Sequence, residues 1–182
     1  MNKIASVFCV FITLFGVSSC GVVETEKVQV VDLEEKALQV ITGGSFKYSE
    51  KSQTKNVLEA GRLERWDSDG ASSEVWRVSN GFTLYIDGDK ENHDAVLSGG
   101  RGTYEADLGH LIAYDDVELI NREGEKLNTE YLVWSNDSDI VRTNRPVRIE
   151  TKTGTLEGNG LEADSKFENY RILNPTGAFD IP

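Results

Sequence analysis

The chain has 182 residues, a formal net charge of −12 at pH 7 and a hydrophobic content of 38%. A surface this acidic repels phosphate groups, which argues against nucleic acid or an anionic bilayer surface as the binding partner. The length suits one domain that can bury a hydrophobic core.

The N-terminus has the features of an export signal. Residues 1–3 form a short basic segment, and residues 4–17 form a mostly apolar run that is too short to cross a bilayer. The run ends in Val17-Ser18-Ser19-Cys20-Gly21, which resembles the lipobox of bacterial lipoproteins. This resemblance implies that residues 1–19 are a lipoprotein signal peptide and that Cys20 is lipidated. The alternative is an ordinary signal peptide cut beside an incidental cysteine.

Cysteine usage leaves the mature protein without a disulfide. Cys9 leaves with the signal peptide and Cys20 would carry lipid, so no pair remains to be oxidised. Several acyl chains on one cysteine anchor a protein stably, because each buried methylene contributes about 0.8 kcal/mol. We therefore expect a protein that is anchored to a membrane without spanning it.

The rest of the chain divides into a tether and a β-domain. Residues 20–36 hold the lipidated cysteine and a mixed, charged segment with no clear core face, and residues 37–182 form the domain. In the domain, short β-branched and aromatic runs are separated by turn dipeptides and show no helical period. These dipeptides are Gly43-Gly44, Asp69-Gly70, Asn80-Gly81, Asp87-Gly88, Gly99-Gly100 and Asn159-Gly160. The fold class is therefore all-β, either a jellyroll of two stacked antiparallel sheets or a closed barrel.

An internal repeat of about 30 residues narrows the architecture. Residues near 97–119 align with those near 127–149 and again with those near 156–178, and a looser copy starts at Leu58. The aligned triplets include Leu97, Leu127 and Leu156, then Tyr104, Trp134 and Ala163, then Leu111, Val141 and Tyr170. Each unit predicts two strands with one apolar face, which must stack on its neighbours to be buried. If the two sheets splay apart, the interior opens as an apolar cleft.

Catalytic groups have little support in the sequence. The stretch Asp87–Asn92 resembles a calcium loop but lacks its glycine and its distal glutamate, so a solvated hairpin turn is favoured. The two histidines, His93 and His110, have no partners at metal-ligand spacing. No nucleophile motif or phosphate-binding loop is present in the sequence. We predict a protein that is not an enzyme and needs no cofactor.

Three segments resemble the LptC family of lipopolysaccharide export proteins, in a lipoprotein form. They are GEKLNTEYLVW from residue 124, NRPVRIET from residue 144 and GNGLEADSKFENYRILNPTGAF from residue 158. The similarity runs from about residue 40 to the end of the chain, and the related LptA and OstA domains share the repeat. The best-known LptC proteins carry a transmembrane helix, whereas this chain carries the lipobox.

The resemblance implies a fold, a location and partners. It implies a twisted β-jellyroll on the periplasmic side of a membrane, the inner membrane in preference to the outer one. The domain would receive lipopolysaccharide or lipooligosaccharide from an ABC transporter complex. It would pass this lipid to an LptA-like bridge protein through edge strands. Residues 169–179 are the predicted C-terminal edge, where Pro175 limits how far strand pairing can extend.

Acyl chains are predicted to bind to apolar side chains that face between the sheets. These are Leu84, Leu97, Val117, Leu119, Leu127, Val147, Ile149 and Leu156. The alternative is that the same residues form an ordinary closed core. Two rival functions stay open. A glycan-binding lipoprotein would expose Trp66, Trp76 and Trp134 as a platform, and a structural assembly lipoprotein would have a filled interior.

Overall fold

A computed structural model describes residues 37–50, 53–67 and 74–177 of the chain. The predicted signal peptide, Cys20, the tether and the Asp69-Gly70 dipeptide lie outside these residues. The strands are β1 (Gln39–Glu50), β2 (Gln53–Asp67), β3 (Glu74–Ile86), β4 (Ala95–Gly99), β5 (Arg101–Glu105), β6 (His110–Asn121), β7 (Lys126–Ser135), β8 (Ile140–Thr151), β9 (Gly154–Asp164) and β10 (Tyr170–Thr176). A single 3-10 turn covers Ala106–Leu108.

All of these strands belong to one antiparallel, 10-stranded sheet. Each strand pairs with the next along the chain, except that β4 and β5 lie end to end between β3 and β6. Gly100 separates β4 from β5, so the two act as one interrupted strand. The predicted all-β jellyroll is confirmed, and its two layers are the two halves of one continuous sheet.

The sheet bends across the middle of its strands. The pairing register shifts between Ala60 and Arg62 in β2, between Tyr114 and Val117 in β6, and between Thr143 and Pro146 in β8. Left-handed residues mark the same line, including Asn80 with Gly81 in β3 and Asp115 with Asp116 in β6. Bulges of this kind bend a strand without ending it. The bend brings the two half-sheets face to face.

Each half-sheet carries a row of inward side chains that pair directly across neighbouring strands. The row of the first half-sheet is Phe46, Leu58, Leu84, Leu97, Leu119, Leu127, Ile149 and Leu156. The row of the second half-sheet is Trp76, Tyr104, Leu111, Trp134, Val141, Ala163 and Tyr170. These rows explain the repeat of the sequence, because aligned residues such as Leu97, Leu127 and Leu156 lie on alternate strands of one row.

The two rows pack together into one hydrophobic core that includes side chains of both half-sheets. Burial is complete for Leu97, Leu119, Leu127 and Ile149 in the first half-sheet and for Val141 in the second. Complete burial of an aliphatic side chain of this size contributes about 1.5–3 kcal/mol. No helix within the described part of the chain is both long and apolar enough to cross a membrane.

Candidate functional site

The interior is open at the β1–β3 end of the sheet. A cleft of about 440 Å³ lies there between the half-sheets. Its apolar wall is formed by Phe46, Leu58, Leu63, Trp76, Leu84, Tyr104, Leu111 and Trp134. Small-molecule sites are usually concave and mostly apolar, with volumes of roughly 300–1,000 Å³. The cleft therefore has the size and lining of a binding site for an apolar group.

The cleft exists because the facing rows do not close at this end. Phe46, Leu58, Trp76 and Tyr104 are only partly buried and pack against the edge of the core. Farther along the first row, Leu97 is fully buried. The partly buried side chains present apolar surface that water must cover, so covering them with a ligand is favourable.

Polar residues form the rim of the cleft. The rim includes Lys47 and Asn56 on the first half-sheet, and Asn136 and Asp137 on the second. Asn56 Nδ2 donates to Asn136 Oδ1 across the gap, at 3.3 Å. Asn56 Oδ1 in turn accepts the backbone N–H of Asp87, at 3.2 Å. This bridge joins the half-sheets at one side of the cleft.

The titratable groups at the cleft do not suggest acid–base chemistry. Burial raises the pKa of Tyr104, and the negative charge of Asp137 raises it further, as does Tyr48. The phenol therefore stays neutral at physiological pH and offers only a hydrogen-bonding group on an apolar wall. No group of three or more His, Cys, Asp or Glu residues that could hold a metal ion occurs within residues 37–50, 53–67 and 74–177.

In the turn that resembles a calcium loop, the side chain of Asp89 binds backbone N–H groups of the same turn. The Asp89 carboxylate accepts the N–H groups of Glu91 at 3.0 Å and of Asn92 at 3.1 Å. These backbone hydrogen bonds, with Asn92 the stronger influence, lower the pKa of Asp89. The turn is thus held by its own hydrogen bonds, as a solvated turn requires.

The tryptophans do not form an exposed platform. Trp134 is only 6% exposed and Trp76 is partly buried, and both line the cleft. The guanidinium of Arg77 lies over the ring of Trp66, 4.2 Å from its centroid. The arrangement that a surface glycan-binding protein would need is therefore not found at these residues.

The side chains that were predicted to bind acyl chains lie in two different places, the cleft and the packed core. Leu84 lines the cleft. The other predicted residues lie in the packed core or against it: Leu97, Val117, Leu119, Leu127, Val147, Ile149 and Leu156. Lipid contact at these positions would require the half-sheets to separate, and it stays a prediction.

Sequence reasoning missed most of the cleft wall. Leu58 begins the looser copy of the repeat, and its pairing with both Phe46 and Leu84 extends the first row into the cleft. Trp76 and Tyr104 pair with each other and extend the second row in the same direction. Following the repeat toward the N-terminus would have found Leu58, whereas β1 carries no copy of the repeat that would have found Phe46.

The sheet has two edge strands. β1 pairs only with β2 and β10 pairs only with β9 in the described part of the chain. Large apolar side chains are exposed on or beside both edges, namely Leu38, Val40 and Tyr48 near β1 and Leu173 on β10. Backbone groups on such an edge are available for pairing with another strand.

A comparison with protein families identifies the family of the chain. A family model described as "Lipopolysaccharide-assembly, LptC-related" matches residues 6–178, which is nearly the whole chain. A comparison with curated proteins finds no match. The chain therefore belongs to the LptC family, whose members are non-enzymatic, envelope-associated components of lipopolysaccharide transport.

Proposed function

We propose that this protein holds an acyl chain of lipopolysaccharide in the cleft at the β1–β3 end while the lipid is carried across the periplasm. The observation that carries the proposal is the apolar wall of this open cleft, built from Phe46, Leu58, Trp76, Leu84 and Tyr104. Each methylene that leaves water for such a wall contributes about 0.8 kcal/mol. About ten buried methylenes would therefore contribute roughly 8 kcal/mol, the free energy of a micromolar dissociation constant.

The size of the cleft limits what it holds. A volume of about 440 Å³ is in the lower part of the range of small-molecule sites. The cleft in this state therefore suits one acyl chain better than the whole lipid. The sugar and phosphate groups would remain outside, where solvent and salt weaken their repulsion from the acidic protein. Lys47 on the rim offers a positive charge there.

The predicted lipid-binding residues in the packed core would contact lipid only after the half-sheets move apart. The first row continues from Leu84 through Leu97 and Leu119 to Leu127 without a polar interruption. If the half-sheets move apart, this row would extend the cleft along the sheet. Val117, Val147, Ile149 and Leu156 would then contact lipid as well.

The partners follow from the edges of the sheet. We propose that the protein takes lipid from an inner-membrane ABC transporter complex and passes it to an LptA-like bridge through strand pairing. The exposed edges at β1 and β10 support this, because main-chain pairing at an open edge joins two domains with few side-chain requirements. Pro175 lies within β10 and would confine such pairing to the residues before it.

The anchor is proposed from the sequence. Lipid on Cys20 would hold the protein to the periplasmic face of the inner membrane, and residues 21–36 would tether the β-domain to it. The resemblance of residues 17–21 to a lipobox supports this arrangement.

A charge placed in the cleft tests acyl binding. Trp76→Glu in the full chain should reduce the lipopolysaccharide that co-purifies by about tenfold, since an unpaired carboxylate in an apolar site costs more than the 1.4 kcal/mol that a tenfold change represents. Trp66→Glu is the matched control, because Trp66 does not line the cleft. Lipid is measured by mass spectrometry. Equal amounts of lipid on the two variants would contradict the proposal.

A further inference from the structure

The loop between β9 and β10 closes part of the interior. Residues 165–169 connect β9 to β10, and Phe167 in this loop is fully buried in the hydrophobic core. Its ring stacks on Tyr170, with centroids 4.7 Å apart. Its φ of +57° is unusual for a bulky residue, so the rest of the loop must hold it in place. A loop side chain here fills part of the interior between the half-sheets.

Contacts from this loop reach the first half-sheet. Lys166 Nζ lies 2.7 Å from a carboxylate oxygen of Asp94 and 3.1 Å from one of Asp87. Both aspartates flank the turn between β3 and β4, and Lys166 and Asp94 are 72 positions apart in the chain. Asn121 Nδ2 donates to the carbonyl oxygen of Phe167, at 3.0 Å. The loop therefore ties the two half-sheets together.

These ties continue the rim of the cleft. The Asn56–Asn136 bridge borders the cleft, and Asn56 also binds the backbone of Asp87. Asp87 is in turn a partner of Lys166. A connected series of polar contacts thus runs from the cleft to the loop, along the line where the half-sheets meet opposite the bend.

The polar ties can break without disrupting the sheet. Lys166 is 33% exposed, and its partners Asp87 and Asp94 are 29% and 19% exposed. Partly exposed ion pairs hold a loop more weakly than a strand ladder holds a sheet. Within the loop, Asp164 accepts the N–H groups of Glu168 and Asn169, so the loop keeps its own shape. The loop can therefore move as a unit.

We infer that residues 164–169 form a latch that closes the interior beyond the cleft, and that this latch must open before an acyl chain can move from the cleft toward β10. The inference rests on the proposed binding of acyl chains in the cleft. Lys166 holds the latch to the first half-sheet through its ion pairs, and the ring of Phe167 fills the interior beneath the latch. The apolar rows continue beneath the latch, through Val141 and Ala163 to Tyr170, so an opened interior would offer the chain an apolar path.

Hydrogen exchange tests the latch without any lipid. The backbone amide of Ser165 donates to the carbonyl oxygen of Asp139, which lies outside the latch, at 3.1 Å. In Lys166→Met, the exchange of this amide should be about fivefold faster, which corresponds to roughly 1 kcal/mol at 1.4 kcal/mol per tenfold. Lys152→Met is the matched control, because the ion-pair partner of Lys152 among the described residues is the exposed Glu123. Unchanged exchange in Lys166→Met would overturn the role of Lys166.

Photolabelling tests the passage. A photoactivatable leucine analogue replaces Leu84 or Leu161 in the full chain, and palmitate is the probe. Leu84 lines the cleft, whereas Leu161 is fully buried near β10. In the unaltered chain we expect at least about fivefold less label at position 161 than at position 84. Lys166→Met and Phe167→Ala should each raise labelling at position 161 by about fivefold, with no change at position 84.

The outcomes separate the latch from the proposed function. Equal labelling at both positions in the unaltered chain would overturn the latch, and so would labelling at position 161 that neither substitution changes. Absence of label at position 84 in every variant would instead contradict acyl binding in the cleft. Because hydrogen exchange is measured without lipid, it tests the closed state of the latch whether or not an acyl chain binds in the cleft.

Discussion

Two parts of the interior use the same pattern of paired apolar residues, yet one is open as a cleft and the other is filled by a side chain from a loop. At the β1–β3 end, Phe46 and Trp76 face each other's half-sheet across a cleft. At the β9–β10 end, the Phe167 ring enters the interior from a loop. The sheet forms an apolar interior along its whole width. A loop side chain closes one part of this interior to a ligand, whereas the cleft leaves another part accessible.

The difference in packing should appear first as a difference in stability. Leu127→Ala removes a fully buried side chain from the closed part of the first row, and the resulting cavity should lower the free energy of unfolding by about 2–5 kcal/mol. Leu58→Ala at the open end removes carbons that already border the cleft, so we expect a loss of about 1–2 kcal/mol. Urea unfolding measures both. Equal losses would mean that the two ends are equally packed.

Acid should weaken the closed end selectively. A hydrogen bond from Lys166 is the main influence on the pKa of Asp94 and lowers it from 3.8, against an opposing effect of burial and with further help from the charges of Lys166 and Arg122. Because the folded pKa is the lower one, this stabilisation is complete above about pH 3.8 and is lost as the pH falls through the folded value. The same contacts raise the pKa of Lys166, first through Asp94 and then through Asp87.

NMR of the Phe167 ring checks this acid response. Its resonances should report opening of the latch as the pH falls below about 3.8, while those of Phe46 in the cleft should change less. In Asp94→Asn the latch should already be open at pH 5, and the change of the Phe167 resonances with pH should be mostly lost. A transition of unchanged size in Asp94→Asn would show that Asp94 is not the group responsible.

The sequence predicted the rows of the core but not that Asn80-Gly81 belongs to the bend. Leu97, Leu127 and Leu156 were aligned by the repeat, and they share one row because a two-strand unit returns the chain to the same face. Asn80-Gly81 was interpreted as a turn between strands, whereas it is a left-handed bulge inside β3. Left-handed residues suit a turn and a bulge equally, so the dipeptide alone cannot distinguish them.

The site was predicted only in part for a related reason. Leu84 was identified because it follows the strand alternation, but Phe46 lies on β1, outside the repeat. Phe167 lies in the polar segment Asp164–Asn169, where no periodicity marks a buried side chain. The contact of Lys166 with Asp94 joins residues 72 positions apart, and only the folded sheet brings them together.

The most direct test of the account is 19F NMR of the full chain labelled with fluorotryptophan and titrated with lipopolysaccharide. Trp76 and Trp134 line the cleft, whereas Trp66 lies outside it beneath Arg77. If an acyl chain binds in the cleft, the resonances of Trp76 and Trp134 should shift and the resonance of Trp66 should not. Equal shifts of all three resonances, or a shift of Trp66 alone, would contradict binding of an acyl chain in the cleft.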